Sequence, residues 1–257
     1  MRKKTVEQAL ITPGYLAGPG DPAWVTTALH AGAGWNPGHD PLAARVVLTS
    51  PNGKSTLRLE PALNGPWWHL SHNDGRTGSV WSAHFDGATP VELIAAVTDA
   101  LTHPDYSARA ADPSTRAAAD PYKLLHRAGW DIAANSDFRS PDRRVRGERH
   151  NFSGSTDWHI TATLDWDDPL WRARLSSSMP RVLVSTFLQA LADPEPVIRT
   201  HEQTQGLSLR RITMQWREVP AQSAARVLPE RIERLAARRA SPPAAPPAAP
   251  PARRRTR

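Results

Sequence analysis

Cysteine is absent from all 257 residues. That excludes disulfide staples, thiolate metal ligation and a cysteine nucleophile. Long apolar runs are missing too. Nothing approaches the roughly 18 consecutive apolar residues of a membrane span. Met1-Arg2-Lys3-Lys4 is basic, but the apolar stretch that a signal peptide needs does not follow. The expectation is a cytoplasmic protein with no membrane partner. Phenylalanine and tyrosine are scarce, four and three, whereas tryptophan occurs ten times. Tryptophan is therefore expected to be the main core-filling aromatic. G-x-S-x-G, H-E-x-x-H, Walker and kinase patterns are all missing. No catalytic residue, metal ligand set or cofactor is expected from motifs, although a triad defined only by geometry would leave no such mark.

The formal charge is +7, and it is concentrated at the ends. Pro229 to Arg257 carries eight Arg and two Glu, and Arg2, Lys3 and Lys4 add three more positive charges. The body between them is slightly acidic. A nucleic-acid surface covering the whole body should make that body basic, so the composition points to the ends instead.

What is present is a repeat. Trp81 to Pro104, WSAHFDGATPVELIAAVTDALTHP, returns 90 positions later as Trp171 to Pro194, WRARLSSSMPRVLVSTFLQALADP. The same shift places Ser50-Pro51-Asn52 on Ser140-Pro141-Asp142 and Trp68-His69-Leu70 on Trp158-His159-Ile160. With five more residues of slip, Ala33-Gly34-Trp35 matches Ala128-Gly129-Trp130. Self-similarity at a fixed period marks a duplicated structural unit.

Within the first unit, Asp21-Pro22 reads as a helix start. Residues 45–50 and 55–60 flank Pro51-Asn52-Gly53-Lys54, a hairpin signal. Residues 67–72 and 80–86 read as two more strands, with Trp81, Ala83 and Phe85 alternating against Ser82 and His84. Pro90 opens a helix whose Leu93, Ile94, Val97, Ala100 and Leu101 share one face. The second unit restarts at Asp120-Pro121. Its first hairpin, Phe138 to Phe152, is charged and weakly patterned. Val6 to Ile11 is compatible with helix or strand, Leu207 to Trp216 with one more strand, and Ala224 to Arg239 with a basic helix interrupted by Pro229. From Ser241 the Pro-Pro-Ala-Ala repeat and the closing arginines cannot build a core and are expected to be disordered.

The expected fold is therefore α+β: two tandem similar lobes, each a helix, a four-stranded antiparallel meander and a covering helix, with a disordered basic C-terminal tail. The boundaries are 13–104 for the first repeat, 105–119 for a linker, 120–196 for the second repeat, 197–240 for a strand and helix extension and 241–257 for the tail.

His69, His72 and His84 form the most tempting cluster, and histidines within reach of one another can bind metal or move a proton. The plain alternative is solvent-face residues, since His84 becomes Arg174 in the second repeat. Trp67 shares a strand face with His69 and either marks a contact surface or packs under a loop. Asp165-Trp166-Asp167-Asp168 sits at a hairpin turn, where Asp is common for backbone reasons. Gly18-Pro19-Gly20 lacks the spacing of a phosphate loop. Arg253, Arg254, Arg255 and Arg257, on their Pro/Ala spacer, have the composition of an electrostatic arm for nucleic acid.

The strings Tyr15-Leu16-Ala17-Gly18-Pro19-Gly20-Asp21-Pro22, Ala33-Gly34-Trp35, Ser50-Pro51-Asn52-Gly53, Gly65-Pro66-Trp67-Trp68, Trp81-Ser82-Ala83-His84-Phe85 and Thr89-Pro90-Val91-Glu92-Leu93-Ile94-Ala95-Ala96 resemble a family of duplicated domains from streptomycetes and their relatives, domain of unknown function 317. The resemblance runs from about Pro13 to Pro194 and implies no activity and no catalytic residues. The functional expectation is a non-enzymatic binding or adaptor module for another macromolecule, a protein first. Two alternatives stand beside it: a nucleic-acid accessory protein acting through its tail, and an enzyme with a site between the lobes.

Overall fold

The computed structural model describes residues 4–38, 45–63, 65–75, 80–103, 106, 120–152, 155–165 and 168–240. The expected linker (apart from Tyr106) and the whole tail, including Arg253, Arg254, Arg255 and Arg257, lie outside the described residues.

The chain opens with β1 (Thr5–Thr12) and α1 (Ala23–Thr27), which continues as a wider turn over Ala28–Gly32. The first repeat then supplies β2 (Asn36–Pro37), β3 (Val46–Thr49), β4 (Ser55–Leu59), β5 (Trp68–Asn73), β6 (Val80–Phe85) and α2 (Val91–Leu101). The second repeat supplies α3 (Pro121–Arg127), β7 (Asp131–Ile132), β8 (Phe138–Arg139), β9 (Val145–Phe152), β10 (Ser155–Asp165), β11 (Asp168–Leu175) and α4 (Arg181–Leu191). β12 (Val197–Thr200), β13 (Thr213–Pro220) and α5 (Ala221–Ala240) follow. Both helix starts read from Asp-Pro are made by side chains: Asp21 accepts the Ala23 amide and Asp120 the Tyr122 amide.

The structure corrects the two-lobe picture. The repeats do not hold separate four-stranded meanders; they share one ten-stranded antiparallel sheet in the order β2-β3-β4-β5-β6-β11-β10-β9-β8-β7. Each repeat adds a two-residue fifth strand, β2 or β7, at its outer edge. The seam is β6 against β11, with Phe85 opposite Ala173, His84 opposite Arg174 and Ala83 opposite Leu175. Applying the 90-residue shift exchanges the first and last of these pairs and maps the middle pair onto itself. A pseudo-two-fold axis therefore passes between His84 and Arg174. The ends of the seam obey the same symmetry. The Asp86 amide donates to the Arg172 carbonyl and the Arg172 amide to the Asp86 carboxylate; the Ser176 amide donates to the Ser82 carbonyl and the Ser82 amide to the Ser176 hydroxyl.

The second hairpin, weakly patterned in sequence, builds the same turn as the first. Ser50 and Asn52 arrange their hydroxyl and amide oxygen around Lys54 and Ser55. Ser140 and Asp142 do the same around Arg144 and Val145. Arg143 takes the left-handed φ of 59° where the first turn has Gly53 at 71°.

One sheet face carries the core. Trp35, Trp68, Trp81, Trp171, Phe85, Phe138 and Phe187 are fully buried, as the tryptophan excess led one to expect. α2 packs on α4 across the axis, and Phe85 stacks on Phe187 with ring centroids 5.8 Å apart. β1, left open between helix and strand by its sequence, is the middle strand of a second sheet, β12-β1-β13. The last strand begins later than its sequence reading, at Thr213. α5 runs unbroken through Pro229 and lies against residues 28–32 so closely that a Cβ on Gly32 would sit 2.7 Å from the Ile232 carbonyl oxygen.

Two buried arginines fasten this C-terminal extension to α2. Arg199, on β12, is 2% exposed, holds Glu92 with both terminal nitrogens and donates to the Ala17 and Gly18 carbonyls. Arg231, on α5, holds Asp99 in the same bidentate way, donates to the Trp24 carbonyl and lies over the Trp24 ring. Gly18 and Gly20 both have φ of 73°, and the Arg199 guanidinium packs against Gly20. The Gly-Pro-Gly loop thus cradles a side chain of its own protein.

A candidate binding face on the open sheet

Period-two alternation sends every second strand residue away from the core. On that side, cross-strand pairing assembles a continuous row: Arg58, His69, His84, Arg174, His159 and Glu148, one from each of β4, β5, β6, β11, β10 and β9. The row crosses the pseudo-two-fold axis at its centre. All six side chains are at least partly exposed.

The structure brings His69 and His84 together and leaves His72 out. The Nδ1 atoms of His69 and His84 are 3.0 Å apart, with the rings edge to face. Only one proton fits between them, so one nitrogen donates and the other accepts. Burial lowers both pKa values; the Arg58 guanidinium lowers that of His69 further, and the charges of His69, Arg174 and Arg58 lower that of His84. His72 points to the other side of the sheet, stacked on Trp81 at 13° and bonded to the Ser55 hydroxyl. Burial lowers its pKa as well. The alternation that turns Trp68 and Leu70 inward carries His72 with them.

Across the axis, Arg174 makes a two-nitrogen contact with Asp157, whose other oxygen accepts the Ser177 amide. Burial pushes the Asp157 pKa up, but these bonds and the positive charges of Arg174 and His159 outweigh it, and the net direction is down. His159 sits edge-on to His150, and burial first, then His150 and Arg174, lower its pKa. Trp67 is 36% exposed. Its indole N–H donates to the Ala62 carbonyl and its ring lies on Gly87, where a Cβ would come within 2.5 Å. It packs on a loop and still shows an edge on this face.

A parallel row escaped the reading of the sequence. Thr49, Thr56, Ser71 and Ser82 face one another across β3 to β6. Their equivalents in the second repeat are Arg139, Arg146, Thr161 and Arg172, across β8 to β11. Three of four short hydroxyl side chains are arginines in the second copy. The signal lies in the 90-residue alignment, at positions where the two copies differ in chemistry instead of agreeing. All three arginines are exposed. Arg146 lies 3.7 Å from Glu148, whereas among the described residues Arg139 and Arg172 make no side-chain ion pair.

The helical side holds a separate groove of about 500 Å³, walled by Trp24, Val91, Leu93, Val197, Val227 and the Arg199–Glu92 pair. None of the histidines discussed above lines it. Trp166 and Asp167 lie outside the described residues. Among the described residues no group of three or more His, Asp or Glu is gathered to hold a metal ion, and no helix is long and apolar enough to cross a membrane.

Residues 49–106 and 139–197 each match the model of the family described as SPDY, a domain of unknown function (DUF317). The two matches support a duplicated domain of unknown function, and they cover β4 to α2 and β9 to α4. No curated protein and no solved structure is significantly similar to the chain.

Proposed function

We propose that this chain is a non-enzymatic binding module that holds another macromolecule against the open face of its ten-stranded sheet. The observation that carries this reading is the uninterrupted polar row across six strands, centred on the joint between the repeats. A sheet whose described helices lie on one side leaves the other side for a partner. Its Arg, His and hydroxyl groups supply directional hydrogen bonds and charge at regular strand spacings of about 4.8 Å. Among the described side chains Trp67 is the large aromatic with an edge on this face, so contact there is polar, with an aromatic edge at one side. The enzymatic alternative called for clustered histidines in a concave pocket. The His69–His84 pair lies instead on an open sheet face, and the groove on the helical side contains neither.

Photo-crosslinking residues placed one at a time at Ser71, Thr161 and, on the helical side, Gln189 test this in the full-length protein. Macromolecular adducts should form from positions 71 and 161 and not from 189. Adducts from 189 alone would place the binding surface elsewhere and overturn the reading.

A further inference from the structure

We infer that the macromolecule held on this face is double-stranded nucleic acid, with its phosphate backbone running along the arginine row of the second repeat. This rests on the open-face reading above and adds the partner's chemistry. The internal duplication provides the control for the argument. At the same backbone positions the first repeat has Thr49, Thr56 and Ser82, so the fold has no need of arginine there. Arg139 and Arg146 are direct cross-strand neighbours, and like charges placed opposite one another weaken a sheet. Asp131 opposite Arg139 and Glu148 beside Arg146 offset part of that repulsion, but three arginines in one row leave an excess of positive charge that an external anion would neutralise.

Most carboxylates nearby are shared with other groups, and Asp131 stands directly across from Arg139. Asp157 holds Arg174 and the Ser177 amide. Glu148 is shared between Arg146 and His150. Asp86 accepts the Arg172 main-chain amide. Asp131 and Asp86 lie near Arg139 and Arg172, but among the described residues neither guanidinium is held in an ion pair, and both are exposed to phosphate in the planar geometry that suits it. The row from β8 to β11 spans three strand intervals, roughly 14 Å, and so covers several phosphates of a duplex. His159 and Arg174 lie one row behind it. No aromatic ring stands in the row, so it offers no base-stacking platform of the kind single-strand binders use. Readout of the backbone of a duplex, without sequence preference, is the chemistry that remains.

The test measures anisotropy of a labelled mixed-sequence DNA duplex of roughly 20 base pairs, and of one of its single strands, in salt from about 50 to about 200 mM. Three full-length proteins are compared: the natural chain, R139T/R146T/R172S, and a chain with Arg253, Arg254, Arg255 and Arg257 all changed to Ala. The first variant installs the residues of the first repeat at equivalent positions, so it should fold, and its unfolding midpoint is measured alongside. The natural chain should bind duplex in preference to single strand. R139T/R146T/R172S should bind at least about tenfold more weakly, with the slope of log affinity against log salt reduced by about 2.7, three phosphate contacts at about 0.9 each. The tail variant should retain the part of the slope that the sheet variant loses. Equal affinity and slope for R139T/R146T/R172S and the natural chain would overturn the inference and assign binding to the tail. Absence of duplex binding at low salt would also overturn it. If adducts with protein still form from positions 71 and 161 in that case, the open-face reading stands with a protein partner; if none form, both fall.

Discussion

The sharpest consequence of the fold concerns Arg199. It joins three pieces distant in sequence: β12, the Ala17-Gly18-Pro19-Gly20 loop and Glu92 in the first turn of α2. Replacing it with methionine keeps most of the side-chain length and removes the charge. Two buried carbonyl contacts are then lost, at about 1–3 kcal/mol for each group left unsatisfied. Breaking a buried ion pair from one side costs about 3–5 kcal/mol in total. The Glu92 side chain is 33% exposed, so its abandoned carboxylate reaches water, and the expected cost sits at the low end, about 3 kcal/mol. For a chain of this size that lowers the melting temperature by roughly 6–12 °C. Glu92→Met should cost at least as much, because it leaves a guanidinium that is 2% exposed without its counter-charge. The double variant R199M/E92M removes both charges and should be more stable than the sum of the single effects by roughly 1.5 kcal/mol or more. Urea unfolding of the four proteins provides the cycle. Additivity to within about 0.5 kcal/mol would show that the pair does not act as a buried unit, and the account of how the C-terminal extension is fastened would fail.

Two further outcomes follow from the site and the core. Gly147 faces Phe138 so tightly that a Cβ there would lie 2.0 Å from the ring, while the first repeat has Leu57 and Leu48 at those positions; Gly147→Leu alone should cost several kcal/mol by overpacking (about 1–3 or more), and F138L/G147L should recover most of it in thermal unfolding. His69, His72, His84 and His159 all have pKa values lowered by burial, so the unfolded chain takes up protons near pH 6.5 that the native state refuses. The stability they confer is present above about pH 6.5 and is lost as pH falls through the lower native values; the urea midpoint should drop between about pH 7.5 and about pH 5, less so in H69Q/H84Q, and a rise on acidification would contradict the assigned direction.

Local patterns in this chain were readable from the sequence; joints between distant segments were not. The 90-residue duplication, the amphipathic faces of α2 and α4 and the alternation in β6 and β11 follow from periodicity, which depends only on neighbours a few residues apart. The second hairpin was obscured because its inward pattern trades volume between strands: Leu48 with Leu57 in one copy becomes Phe138 with Gly147 in the other. A glycine in a strand reads as a break until the ring that fills its place is known. The edge-to-edge seam was invisible because β6 and β11 carry the same pattern as strands that end a sheet. Nothing in period two says whether a last strand meets solvent or a symmetry-related copy of itself. β1 finds its partners about 190 to 210 residues away, beyond any local pattern.

That seam also decides where a partner can sit. Once β6 and β11 pair, α2 and α4 are brought together on one side and close the core there, with Phe85 and Phe187 in contact. The opposite side becomes a single continuous surface instead of two small ones. The backbone symmetry of that surface is close: equivalent strands, equivalent turns and a self-equivalent His84–Arg174 position. Its chemistry is not symmetric. Toward the first repeat lie Thr49, Thr56, Ser82, Arg58, His69 and Trp67; toward the second lie Arg139, Arg146, Arg172, Glu148, Asp131 and Asp157. A duplication maintained only for stability would let surface positions drift without direction, whereas here three changes in one cross-strand row converge on the same cation. Some core positions diverge in compensated pairs, such as Leu48 with Leu57 against Phe138 with Gly147. The two modes of divergence separate what holds the sheet together from what it offers to a partner.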